Sequence, residues 1–312
     1  MAYELDSRLV IGLASSALFD LAESHQVFLD SGEEAYRRYQ REHRSRTLVP
    51  GVAFPFIRRL LSLNALRPDD PLVEVILLSK NDPDTGLRVM DSIQAHELGI
   101  SRAVFLQGRS PHRFIDALSI SLFLSADEAD VRAANEAGHP AGWVLDSRFI
   151  DDGDDELRIA FDFDGVLASD ESETVFQDQG LNSFRAHEQR LAQVPVSPGP
   201  LAGFCQKLRV IQDLESRCVD TNDCYRRKLR VAIVTARDAP AHERVITTMR
   251  DWGVNVNEAF FLGGIEKRRV LDVIRPHLFF DDQRHHLTPA AAGLPCVHIP
   301  FGRLNSRFKR IF

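Results

Sequence analysis

Cysteine is scarce in this chain: four among 312 residues, Cys205, Cys218, Cys224 and Cys296, with no C-x-x-C pair. That spacing excludes a dense disulfide framework and the usual zinc-ribbon patterns, and fits reduced thiols in a cytoplasmic protein. Positive charge is also in deficit, with 38 Lys and Arg against 45 Asp and Glu, a net charge of −7. A general binder of nucleic-acid polymer or anionic membrane needs the opposite balance, so phosphate recognition is expected to be local. Long apolar runs are missing too. Segments such as VEVILL fall far short of the roughly 20 residues that span a bilayer, and MAYELDSRLV has neither a basic nor an apolar leader region. With 44% hydrophobic residues, what remains is a soluble chain long enough for two cores, with no membrane partner.

The chain is organised around RIAFDFDGVLASDESE, Arg158 to Glu173. Ile159, Ala160 and Phe161 read as a buried strand running into Asp162, Asp164 and the permissive turn residue Gly165. Positions i and i+2 of a strand share a face, so the two acids point into one small volume at the strand's carboxyl end, where open α/β sheets bind ligands. Two carboxylates that close repel, which implies either a bound divalent cation or a raised pKa on one of them. A hard cation with phosphate suits the oxygen donors best.

Upstream, LVIGL and VEVILLS read as strands, each followed by helical patterning, and RAVFLQG, ISLFLSAD and GHPAGWVL add further short strands. The acidic stretch DSRFIDDGDDELR reads as a linker between halves.

The two halves match each other. An offset of 148 residues pairs Glu23, Ser24, Val27, Phe28, Asp30, Gly32, Arg37, Pro50 and Gly51 with identical residues from Glu171 to Gly199. An offset of 156 then pairs Arg88, Val89, Ala103, Phe105, Leu106, Gly108, Leu122 and Phe123 with Arg244 to Phe279, placing eight extra residues between Gly199 and Arg244. Self-similarity of this kind points to a duplicated fold. Asp162 and Asp164 lie opposite Ala14 and Ser16, Thr235 opposite Ser79, Lys267 opposite Pro111, and Asp281 and Asp282 opposite Ser125 and Ala126. A structural role should persist in both copies, whereas a chemical role can vanish from one. The second half is therefore expected to be active and the first degenerate, with Glu171 and Ser172, kept as Glu23 and Ser24, structural.

Four pieces follow in order within the second half: FDFDG; RVAIVTARDAPAHER, where Thr235 ends a strand; FFLGGIEKRR, where Lys267 follows a Gly-Gly turn; and LFFDDQRHH, where a strand ends in Asp281 and Asp282. Taken singly, a threonine caps a helix, a lysine is solvated and paired acids sit in a loop. Their order and their places at strand ends are what carry meaning.

Through these residues the chain resembles the haloacid dehalogenase-like phosphohydrolases. More narrowly, IAFDFDGVLASDESE, VTARDAPAHERVI, WGVNVNEAFFLGG and FFDDQ, with NDPDTGLRV and AFPF upstream, resemble the cytosolic 5'-nucleotidases of type I, from about Leu9 to Gln283. The resemblance implies hydrolysis of nucleoside monophosphates such as AMP and IMP. It makes Asp162 the nucleophile that forms an aspartyl-phosphate and Asp164 the general acid and base, with Thr235 and Lys267 gripping the phosphoryl group. It implies Mg2+ held by Asp162, the main-chain carbonyl of Asp164, and Asp281, with Asp282 a ligand or its neighbour.

The expected fold class is α/β: two related Rossmann-like halves, residues 1–150 and 151–312, the second with an inserted helical cap at about 168–230. The cap helices, TVFQDQGLNSFRAHEQR and LAGFCQKLRVIQDLESR, are the expected readers of base and ribose. Phe176 and Phe184 are either stacking platforms or core, with core the commoner use of such spacing. His285 and His286 raise a histidine-ligated metallophosphatase as an alternative. A sugar phosphatase and a nucleotide-binding sensor are further rivals, homo-oligomerisation is left open, and the basic tail GRLNSRFKRIF reads as a solvated terminus.

Overall fold

The computed structural model describes residues 3–306; residues 307–312, the larger part of the basic tail, lie outside the described residues. The chain divides into two units, Met1–Val144 and Leu145–Phe312.

The first unit carries five parallel strands, β1 (Leu9–Leu13), β2 (Val73–Ser79), β3 (Arg102–Phe105), β4 (Leu122–Ser125) and β5 (Ala141–Val144), in the order β3-β2-β1-β4-β5. The second carries β6 (Leu157–Phe161), β7 (Leu229–Thr235), β8 (Glu258–Phe261), β9 (Leu278–Asp281) and β10 (Cys296–His298), in the order β10-β9-β6-β7-β8, also parallel. Each unit is thus a mixed α/β body whose first strand lies at the centre of its sheet.

The offsets read from the sequence reappear as element boundaries. Shifted by 148, β1 falls on β6; shifted by 156, β2, β3 and β4 fall on β7, β8 and β9, and helix Gly86–Ala95 falls on His242–Asp251. The correspondence extends to one unusual backbone conformation. Helices Ala22–Glu42 and Glu171–Arg190 are each broken at a glycine, Gly32 at φ 76° and ψ −174° and Gly180 at φ 80° and ψ 177°. That region is essentially closed to other residues.

Strand alternation sets the second unit's core. Phe161 and Phe280 stack 5.1 Å apart, and Phe204 of helix Ala202–Thr221 packs on both. The residues one step earlier, Ala160 and Phe279, join Leu271 and Leu287 in a separate buried cluster, fed by helices Arg268–Ile274 and Arg284–Ala291. Both faces of β6 and β9 are therefore covered, which is why these strands read as unbroken apolar runs.

Helix Ala202–Thr221, which the sequence had put in the cap, buries Phe204, Cys205, Leu208 and Ile211 and is part of this core. It starts at the position equivalent to Phe54 of helix Phe54–Ser62 and runs on past that helix's end, so the additional residues of the second half fall here. No helix among the described residues is long and apolar enough to cross a membrane.

Candidate active site

Parallel pairing brings the carboxyl ends of β7, β6 and β9 to one edge of the second sheet, side by side. Asp162 follows β6 directly, and its N–H donates to the Phe280 carbonyl at 2.8 Å. Asp281 is the last residue of β9 and Thr235 the last of β7. Each acid or hydroxyl is delivered by a buried strand to a shared rim.

Lys267, at the start of helix Arg268–Ile274, joins two of them. Its Nζ lies 2.7 Å from Oδ2 of Asp162 and 2.7 Å from Oδ2 of Asp281, and all three side chains are buried. Asp162 also accepts from the Phe163 N–H at 2.7 Å, and His286 Nδ1 stands 3.2 Å from Asp281. Asp282 is buried beside them, its Oδ1 without a hydrogen-bond partner. Gly165, at φ +72°, leaves room for it: a Cβ there would lie 2.6 Å from the Asp282 carboxyl carbon.

Three acids around one ammonium titrate unequally. Burial, reinforced by the negative charge of Asp281, pushes Asp162 up to about 7 despite the pull of Lys267. Burial opposes ionisation of Asp281 as well, but Lys267 and His286 overcome it and hold that carboxyl at about 2. Asp282 is pushed well above the carboxylate range by burial and then by Asp281 and Asp162. Burial works against the charge of Lys267, yet the two carboxylates raise its pKa. The rim thus holds a proton that a divalent cation would displace.

Of the residues singled out from the sequence, Asp162, Lys267 and Asp281 are in direct contact and Asp282 lies alongside. The side chain of Asp164 is engaged elsewhere, in a fork with Arg237: Nε to Oδ2 and Nη2 to Oδ1, both at 2.7 Å. Thr235 is buried, and its Oγ1 accepts from the Arg237 N–H at 3.3 Å. Among the described residues, the side-chain atoms of Asp162, Asp281 and His286 cluster at metal-binding spacing, within 4.8 Å of one another, as do those of Asp151, Asp152 and His277, and neither group includes Asp164 or Asp282. Phe184 is buried at 9% exposure and meets Phe176, 39% exposed, edge to face, so only Phe176 is open to a ligand.

Sequence reasoning missed Arg237, Glu188 and the contact of His286 with Asp281. Arg237 bridges Asp164 to Glu188, and Arg244 bonds Glu188 Oε1 at 3.0 Å and Glu171 at 2.7 Å. A signal for two of these was available. Arg237 lies opposite Asn81 and Glu188 opposite Gln40, so both lose their charge in the first half, as the acids do.

The 5'-nucleotidase family model matches residues 1–306. Human cytosolic 5'-nucleotidase 1B is 34% identical over 289 residues, covering 90% of this chain and 47% of that protein. The chain therefore spans about half the length of this curated relative. No solved structure matches.

Proposed function

Because this chain belongs to the 5'-nucleotidase family, we propose that its second unit is a magnesium-dependent phosphohydrolase releasing phosphate from nucleoside 5'-monophosphates of the AMP and IMP type. The observation that carries the reading is the convergence of Asp162 and Asp281, at the ends of adjacent parallel strands, on Lys267 at the start of a helix.

Asp162 is the nucleophile. Its carboxylate attacks phosphorus while the bond to the 5'-oxygen breaks, and Asp164 gives the departing oxygen its proton. Water then attacks the aspartyl-phosphate, losing a proton to Asp164, and inorganic phosphate leaves with Asp162 restored. Lys267 and the Thr235 hydroxyl offset charge on the phosphoryl oxygens.

The hard oxygen donors and the unpartnered Oδ1 of Asp282 suit magnesium, held by Asp162, the Asp164 carbonyl and Asp281 with Asp282 beside it. When bound, the ion supplies positive charge between a carboxylate nucleophile and an anionic phosphate that otherwise repel. His286, at 3.2 Å from Asp281, helps to orient that carboxylate.

Both units read as Rossmann-like, supported by their shared strand order, with domain limits near 150 and the first unit a scaffold lacking catalytic acids. The cap reduces to helix Glu171–Arg190, where the exposed Phe176 is available to a base. The catalytic groups read only the phosphoryl end, so substrate choice is the point to test. Phosphate release is expected from AMP or IMP with magnesium and not with a chelator. Release confined to sugar phosphates would keep the mechanism and overturn the substrate; no release from either would overturn the enzyme.

A further inference from the structure

The helix Glu171–Arg190 folds back on itself at Gly180. Ser172 Oγ donates to Glu188 Oε1 at 2.8 Å across 16 residues, a separation that a straight helix would stretch to about 24 Å. The two arms therefore form a hairpin with Gly180 at its tip. Its root is tied to the active site, because Arg237 pairs with Glu188 on one arm and grips both oxygens of Asp164 at 2.7 Å.

On the other arm Glu173, Phe176 and Gln177, spaced by three and four, share one face. Gln177 Nε2 donates to Glu173 Oε1 at 2.7 Å, and the second carboxyl oxygen, Oε2, has no hydrogen-bond partner among the described residues. Burial raises the pKa of Glu173, the Gln177 bond opposes that, and the charges of Asp164 and His286 act on it with opposite signs, so this carboxyl faces the mouth of the site.

The first unit repeats the hairpin with different chemistry. Phe28 and Tyr36, opposite Phe176 and Phe184, meet edge to face at the same 6.1 Å, so the aromatic pair packs the arms together in both copies. Glu173 and Gln177 lie opposite His25 and Leu29. Their carboxylate and amide occur only in the unit that holds the nucleophile. A nucleotide with its phosphorus at Asp162 passes its sugar by Asp164 to the hairpin root and its base beyond. Phe176 stands three residues farther along the arm than Glu173, a rise of about 4.5 Å, which puts the carboxyl at the depth of the sugar. A carboxylate accepts hydrogen bonds, and the donors at that depth are the ribose hydroxyls.

We propose that Glu173, held by Gln177, is a specificity-determining residue that accepts a hydrogen bond from the ribose 2'- and 3'-hydroxyls and so selects nucleotides with an intact ribose. The inference rests on the nucleotidase reading above and deepens it.

The test is kcat/KM for AMP and for 2',3'-dideoxy-AMP, with magnesium, in wild type, Glu173→Ala and Glu173→Gln. Wild type is expected to favour AMP by about 10–100-fold, the worth of a hydrogen bond to a charged group. Glu173→Ala should bring that ratio close to unity, and Glu173→Gln, which keeps the shape and a neutral acceptor, part of the way. A merely structural role would lower both substrates together. A ratio left as in wild type, in whichever variant folds, or a wild type without preference, would overturn the inference and leave the nucleotidase reading intact. Absence of phosphate release from AMP by wild type would overturn the reading, and the inference with it.

Discussion

Lys267 and Asp162 form a buried ion pair at 2.7 Å, and the same ammonium holds Asp281 at the same distance. Removing one partner of such a group leaves uncompensated charge in a low-dielectric site. Lys267→Met is therefore expected to cost the metal-free protein on the order of 3 kcal/mol and to lower phosphate release by roughly 10²–10³-fold. Denaturant unfolding in chelator and steady-state assays measure both. A variant as stable as wild type would show that the acids do not depend on this lysine.

Asp162→Asn removes the attacking charge at nearly constant shape. Turnover should fall by about 10⁴-fold or more, with the unfolding temperature unchanged or raised, since burial already disfavours the ionised form. Substantial residual phosphate release would move the nucleophile elsewhere.

The same pair of acids sets a pH dependence. Asp162 holds its proton to about 7 when folded against an ordinary 3.8, so without metal the unfolded chain releases that proton first and stability falls as pH rises through this interval. Asp281, at about 2, has the opposite sign: its contribution is present above 3.8 and is lost as pH falls toward 2. Magnesium competes with the Asp162 proton, so its affinity should climb as pH rises toward about 7. Calorimetry in buffers of different ionisation enthalpy counts the released proton. Affinity flat across this range would remove Asp162 from the ligand set.

Gly165 and Gly180 both have positive φ but differ in surroundings. At Gly180 nothing lies within 4 Å of an added Cβ, so Gly180→Ala should cost only the backbone strain, about 1–3 kcal/mol, and leave catalysis nearly unchanged. At Gly165 the Cβ would strike the Asp282 carboxyl, so Gly165→Ala should add displacement of that acid and loss of turnover to a similar strain. Equal kinetic effects from the two changes would argue against a tightly packed Asp282.

Much of this molecule is written in local pattern. The apolar run Ile159 to Phe161 marked the strand that leads into Asp162, and the matching offsets paired the strands of the two units and Gly32 with Gly180, though not the helix breaks at those glycines. The acids at the ends of two strands and the threonine at the end of a third were legible because parallel sheets put those ends on one edge. The partners of those acids were not. Asp164 turns to Arg237, 73 residues away, Arg237 reaches Glu188 across 49, and Lys267 rather than Asp164 completes the cluster with Asp162 and Asp281. Helix Ala202–Thr221 likewise has a period that suits either a cap or a core, and the contact of Phe204 with Phe161 and Phe280 decided between them. Periodicity is a property of neighbours along the chain and can be read from it. The choice of a charge's partner depends on which groups the fold buries beside it, and only the tertiary structure decides that.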